Sequence, residues 1–216
     1  LRAFEKEVRE TTIKRLNQPT TLGGTERKQQ CLVLSRIIEE PIVAKLEQSA
    51  AELNVTLPAW LLGRFAWCYS DIFHQREFSV ECSVDNRAQL PATWARVVGP
   101  LSHDVPLHFS NVEYVEDFQI EAAERIANLM SGEFIAEEGT QAVMSFSYRL
   151  RSSGAMNLRD EGIAVKSSVG PLWNNMKLAV NRNKQSMVFT LRYDKTVISL
   201  EEAELLMDRF TAFEEV

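Results

Sequence analysis

A chain of 216 residues, 45% hydrophobic and 25% charged, has ordinary globular composition and can bury a substantial core; disorder and fibrous structure are excluded. The formal charge is −6 with no basic stripe, which argues against a dedicated nucleic-acid binder. No apolar run reaches the ~18–20 residues of a membrane-spanning helix, and Cys31, Cys68 and Cys82 are too scattered for a disulfide or zinc framework. They read as reduced, buried thiols of a soluble cytoplasmic protein. The chain opens on Leu1 without a signal-peptide pattern, as a piece of something longer would.

Leu1, Phe4, Val8 and Leu16 recur near helical spacing, so the opening stretch predicts an amphipathic helix. Asn17-Gln18-Pro19 ends it, and Gly23-Gly24 continues the break. A short strand follows at Gln30–Ser35. Pro41 suits the first turn of a helix with Ile42, Leu46, Ala50 and Leu53 on one face. Asn54-Val55-Thr56 is a brief joint. The next helix, Pro58 to Phe73, is apolar nearly all round and should be central.

Phe78 to Val84 alternates with period two, with Phe78, Val80, Cys82 and Val84 on one face of a strand. Asp85 to Ser102 reads as a loop-rich crossing. Val105 to Ser110 is another strand, and Glu116 to Ala136 a long helix whose core face is Phe118, Ala122, Ile126, Leu129, Met130 and Phe134. Four strands are then expected, at Ala142–Tyr148, Gly162–Val169, Met176–Asn181 and Met187–Tyr193, with a polar, turn-rich segment from Arg149 to Glu161. The capping box Ser199-x-x-Glu202 opens a last helix with Ala203, Leu206, Met207, Phe210 and Phe213 inward. The order predicts a mixed α/β fold, one helix layer against a mixed sheet, in one main domain.

Catalytic motifs are mostly missing. The phosphate-cradling G-x-x-x-x-G-K-[ST], the G-x-S-x-G elbow and H-E-x-x-H are all absent. His103 and His108 are five apart along a strand, which turns them to opposite faces and makes a poor metal pair. His103 beside Asp104 is an awkward dyad for the same reason. His74 closes the central helix as a partner for its C-terminal dipole. Glu137-Glu138 and Glu214-Glu215 read as solvated edges, and the tryptophans near Phe65 as core.

Several segments, in order, resemble one family. Ile42 to Trp67 is similar to the paired helices of nonribosomal peptide synthetase condensation domains, members of the chloramphenicol-acetyltransferase-like acyltransferase superfamily. Phe78-Ser-Val-Glu-Cys-Ser-Val-Asp-Asn-Arg87 resembles the strand that ends in the family's arginine. Val97-Val-Gly-Pro-Leu-Ser-His-Asp-Val-Pro-Leu-His108 resembles its V-G-x-F-V-N-T-x-P-L-R segment. Gly99, Pro100, Pro106 and Leu107 match; His103-Asp104 replaces Asn-Thr, and His108 the final Arg. Met187–Tyr193 with Ser199–Phe213 resembles the closing strand and helix. The resemblance covers Leu32 to Val216, the C-terminal half of that fold. The histidine signature H-H-x-x-x-D-G of the other half is absent, and H-Q-D-x-P-F-E is not recognisable at Ile135–Thr140.

The resemblance implies a mixed-sheet α/β sandwich lobe of the chloramphenicol-acetyltransferase-like type over residues 31–216, after an N-terminal helix and connector over 1–30. It implies that a second, N-terminal lobe completes a tunnel, entered from opposite ends by phosphopantetheine arms of acyl or peptidyl carrier proteins. An acceptor amine attacks the donor thioester there. The lobe itself binds no cofactor or metal directly and supplies no catalytic residue. Gly99, Pro100, Ser102, His103 and Asp104 become candidate substrate-binding residues near the arm. Asp85, Arg87 and Trp94 become structural ones in the floor crossing, and Arg149–Val169 a segment crossing to the other lobe. Trp94 either plugs its own core or awaits that lobe. An ester-forming or CoA-dependent acyltransferase half and a non-catalytic domain that docks a partner are the competing readings. None calls for nucleic acid or membrane.

Overall fold

Large apolar residues at every second position build a sheet that the helices cover on one face. The structure, a computed structural model, describes residues 16–22, 25–85, 102–110, 112–131, 142–150, 174–183 and 186–213, and their side chains from residue 31 onward except at 84, 85, 102, 103, 130, 131, 149 and 150. Seven strands are described: β1 (Leu16–Leu22), β2 (Thr25–Glu39), β3 (Glu77–Asp85), β4 (Ser102–Ser110), β5 (Met144–Leu150), β6 (Met176–Arg182) and β7 (Ser186–Asp194). The helices are α1 (Glu40–Glu52), α2 (Leu57–Phe73), α3 (Val115–Ser131) and α4 (Leu200–Thr211). Strand order is β1-β2-β7-β6-β5-β3-β4. β5 runs parallel to both β3 and β6, and the other described pairs are antiparallel. The sheet is mixed, as expected.

The start of the chain differs from the sequence reading. Asn17-Gln18-Pro19 does not end a helix; it lies inside β1, paired from Leu16↔Cys31 to Leu22↔Thr25. Only Gly23 and Gly24 separate the paired strands in sequence, the spacing of a two-residue hairpin signal. Pro19 is tolerable because β1 has a described neighbour on one side only. The strand expected at Gln30–Ser35 is the middle of the longer β2. The rest of the expected opening helix, the strand at Gly162–Val169 and both Glu-Glu pairs lie outside the described residues.

The core sits between sheet and helices, and α2 is its centre. Leu61, Leu62, Phe65, Ala66 and Cys68 are completely buried, which accounts for a helix apolar on nearly every side. Thr56 caps it, accepting from the Ala59 N–H at 3.4 Å, and Pro58 sits in its first turn. His74 ends it in the left-handed region at φ 53°, its backbone N–H bonded to the Ser70 carbonyl, so it terminates the helix through its backbone. Gly63 lets α3 approach: a Cβ there would lie 2.4 Å from the Gln119 Cα. In α1, Val43 joins Leu46 and Ala50 in the core, whereas Ile42 and Leu53 are half-buried.

Aromatic contacts tie the layers together. Phe65 meets Phe146 of β5 at 6.4 Å and Phe210 of α4 at 6.0 Å; Phe118 of α3 stacks on Phe109 of β4 at 5.8 Å. Ion pairs stitch the sheet to the helices: Arg182 grips Glu40 with both nitrogens, at 2.8 and 3.0 Å, and reaches Glu47 at 3.4 Å, and Arg36 reaches Asp208 at 2.8 Å. The predicted capping box of α4 is present in both directions, Ser199 Oγ accepting from Glu202 N–H and Glu202 accepting from Ser199 N–H. All three cysteines are buried, and none forms a disulfide.

Candidate functional site: the polar face of the sheet

Strand alternation turns the core residues of β3, β5 and β6 toward the helices and sets serine, glutamate, lysine and asparagine side chains on the opposite face, which Val33, Ile37 and Val188 make more apolar at β2 and β7. In β3, Phe78, Val80 and Cys82 go to the core, so Ser79, Glu81 and Ser83 share the opposite face. The ladder then sets Glu81 beside Ser145 of β5, Ser145 beside Lys177 of β6, and Lys177 beside Arg192 of β7. A carboxylate, a hydroxyl, an ammonium and a guanidinium thus lie in one row across four strands. Burial lowers the pKa of Arg192 from its ordinary value, with Cys31 beside it acting against that shift.

Glu81 is the best-held group on this face. Its Oε2 accepts from Ser145 Oγ at 3.1 Å and from Asn174 Nδ2 at 2.7 Å. Asn174 Nδ2 is also 2.7 Å from Ser145 Oγ, which closes a triangle just ahead of β6. Ser145 is buried, so the carboxylate is fixed by a desolvated hydroxyl rather than by water alone. Such a carboxylate can accept a hydrogen bond from an amine or hydroxyl and hold it in one orientation.

β4 adds a second polar strip. Asp104 and His108 are four residues apart and share a face; Asp104 accepts from Ser83 Oγ, and His108 Nδ1 lies 3.3 Å from Ser79 Oγ. His108 Nε2 reaches Glu77 at 3.5 Å. Both therefore turn to serines of β3 and not to each other.

Of the residues singled out from sequence, Ser102 pairs with Asp85, His103 with Val84 and Asp104 with Ser83 along the β3–β4 ladder. That places Ser102, His103, Asp104 and Asp85 at one end of this strand pair. Arg87, Trp94, Gly99 and Pro100 lie outside the described residues. Sequence reasoning missed Glu81, Ser145 and Asn174. The F-S-V-E-C-S-V alternation already displayed Glu81 opposite the core residues, but Asn174 carries no local signal, being brought in over 93 residues of sequence. Among the described residues no group of three or more His, Cys, Asp or Glu is placed to hold a metal ion. No described helix is long and apolar enough to cross a membrane.

No protein-family profile matches the sequence, and no curated protein matches it significantly. Solved structures do match. The cyclization-docking bidomain of the EpoB nonribosomal peptide synthetase from Sorangium cellulosum aligns with a TM-score of 0.67 at 13% identity, over 98% of this chain and 46% of that one. The fold is condensation-type. A condensation domain that mediates chain release from the enacyloxin polyketide synthase aligns at 0.63 and 14% identity, over 98% of this chain and 44% of that one. The PapA2 acyl transferase aligns at 0.65 and 13% identity, over 92% and 47%. The chain spans about half the length of each of these three. In this condensation-type fold, the described helices cover the core face, and the row of Glu81, Ser145, Lys177 and Arg192 lies on the other.

Proposed function

We propose that this chain is the C-terminal lobe of a condensation-type domain that forms amide bonds between substrates carried on phosphopantetheine arms, and that the polar face of its sheet fronts the reaction. The observation that carries this reading is coverage: nearly the whole chain aligns with about half of such a domain. The ordered resemblance from Ile42 to Phe213, with Gly99-Pro100 and Pro106-Leu107 in their family places, supports the C-terminal half. In the reaction the acceptor amine attacks the donor thioester carbonyl, a C–N bond forms, the C–S bond breaks, and the amine proton leaves with the thiol. The catalytic histidine comes from the other lobe. This lobe contributes orientation: Glu81, held by Ser145 and Asn174, can accept an N–H from the acceptor, and the β3–β4 end with Ser102, His103 and Asp104 lies toward the arm.

The test is to assay the full-length product of the encoding gene with carrier-bound donor and acceptor and to follow amide formation by mass spectrometry. Amide product from the full-length protein and none from residues 1–216 alone is expected. Amide formation by the 216-residue chain overturns the half-domain assignment. The likeness to an acyl transferase favours one second reading, an ester-forming or CoA-dependent acyltransferase half. A hydroxyl acceptor turned over faster than its amine analogue would select it.

A further inference from the structure

The outer surface of the helix layer, on the far side of the core from the polar sheet face, holds an open groove of about 810 Å³. Its floor is Trp60 and Arg64 of α2, and Leu53 and Trp67 form half-buried walls. On the rim Leu205 of α4 is 54% exposed, a large apolar side chain left in water beside other apolar surface.

The charges around this floor have one sign to offer. Both cations are already engaged: Arg64 donates to three carbonyls at the end of α4, and Arg209 pairs with Asp71 at 2.8 Å while stacking on Trp67. The rim carboxylates Glu52 and Glu116 stand exposed at the last turn of α1 and the first turn of α3. α1 has no basic residue in its last turn, so its negative dipole end adds to Glu52. The groove is therefore an apolar trough with an acidic lip.

We propose that this groove seats an amphipathic helical segment of a partner polypeptide, with apolar residues at i, i+3/i+4 spacing in the trough and lysine or arginine against Glu52 and Glu116. A second copy of the chain fits it poorly, because an isologous contact would bring acidic lip to acidic lip in a protein of net charge −6. The inference does not depend on the condensation reading, since none of its residues lies on the polar sheet face.

The experiment is a selection from a random 16-residue peptide library on the 216-residue chain, with counter-selection on E52K/E116K. Enriched peptides should combine helical apolar spacing with net positive charge. Fluorescence anisotropy of a labelled winner should show binding weakened about tenfold or more by E52K/E116K, and separately by Leu205→Ser, and weakened by salt. All these positions are exposed, and unchanged melting curves would confirm that each variant folds. Enrichment of neutral or acidic peptides, no enrichment, or affinity indifferent to both variants overturns the proposal. Dimerisation of the chain that Leu205→Ser abolishes overturns it in favour of a second copy.

Discussion

Arg64 Nε donates to the carbonyl of Phe210 at 2.9 Å, a bond between the middle of α2 and the last turn of α4. Its Nη2 donates to the carbonyls of Ala212 at 2.7 Å and Arg209 at 3.1 Å. A buried cation thus satisfies carbonyls that a helix end leaves without partners, and it meets the negative end of the α4 dipole. The guanidinium also lies over the rings of Trp60 and Phe213. Arg64→Met keeps most of the packing and removes every donor. At about 1.5–3 kcal/mol for each bond to a charged group, discounted for non-additivity, the domain should lose about 3 kcal/mol or more. Urea denaturation measures it, and Arg64→Lys should recover only part, because an ammonium cannot span the three carbonyls. A midpoint unchanged in Arg64→Met would show that the carbonyls find other donors.

Gly63→Ala should destabilise by about 1–3 kcal/mol. The new methyl would meet Phe118 O at 2.5 Å and Gln119 N at 2.6 Å, both backbone atoms, so α3 as a whole must move. Hydrogen exchange should report faster opening of α3 than of α1. Equal protection of both helices would show that α2 and α3 separate without cost.

Elements whose signal is local were legible before the structure. The all-apolar α2, the period-two β3 and the capping box at Ser199 each depend on neighbours within a few residues. The β1–β2 hairpin was not legible, because Pro19 next to a helical pattern reads as a stop and only the partner strand makes it an edge strand. Arg64 and Gln119 carry no local signal of burial. They are buried because their surroundings come from α4, 145–148 residues away, and from the close approach of α3 at Gly63. The polar row failed for the same reason: strand order β7-β6-β5-β3 is needed before Arg192, Lys177, Ser145 and Glu81 can be seen as neighbours.

Burial pushes the thiols of Cys68 and Cys82 up to about 12 from their ordinary 9.0. Both folded-state values are raised, so the folded chain keeps protons that the unfolded chain gives up. Their contribution to stability is complete below pH ~9 and is lost as pH rises toward ~12, at about 1.4 kcal/mol per pH unit for each thiol. Denaturation midpoints should fall over that window, and Cys82→Ala should flatten the slope. At pH 8 iodoacetamide should label the two thiols slowly in buffer and quickly in urea. Rapid labelling of the native protein would contradict their burial.

Ser199→Ala removes the hydroxyl that accepts from Glu202 N–H at 3.1 Å and should cost about 1 kcal/mol, read as a lower urea midpoint. A larger loss, above about 2 kcal/mol, would mean that the cap also positions Ile198, which is buried just before it.

Glu81→Gln separates a structural from a functional role for the polar face. One oxygen, Oε2, takes both hydrogen bonds, from Ser145 and Asn174. A glutamine can place its carbonyl oxygen at the same point and accept both, so the fold should change by less than about 1 kcal/mol. What disappears is the negative charge in a row that otherwise continues with Lys177 and Arg192. If this face fronts the reaction, an acceptor ammonium or amine loses its anionic partner. Amide formation by the full-length, two-lobed protein should then fall about tenfold or more, chiefly with strongly basic acceptors, which are ammonium ions near neutral pH. Turnover equal to wild type in a folded Glu81→Gln protein would move the reaction away from this face. A collapse in stability would instead make Glu81 a clamp between β3, β5 and the residues ahead of β6.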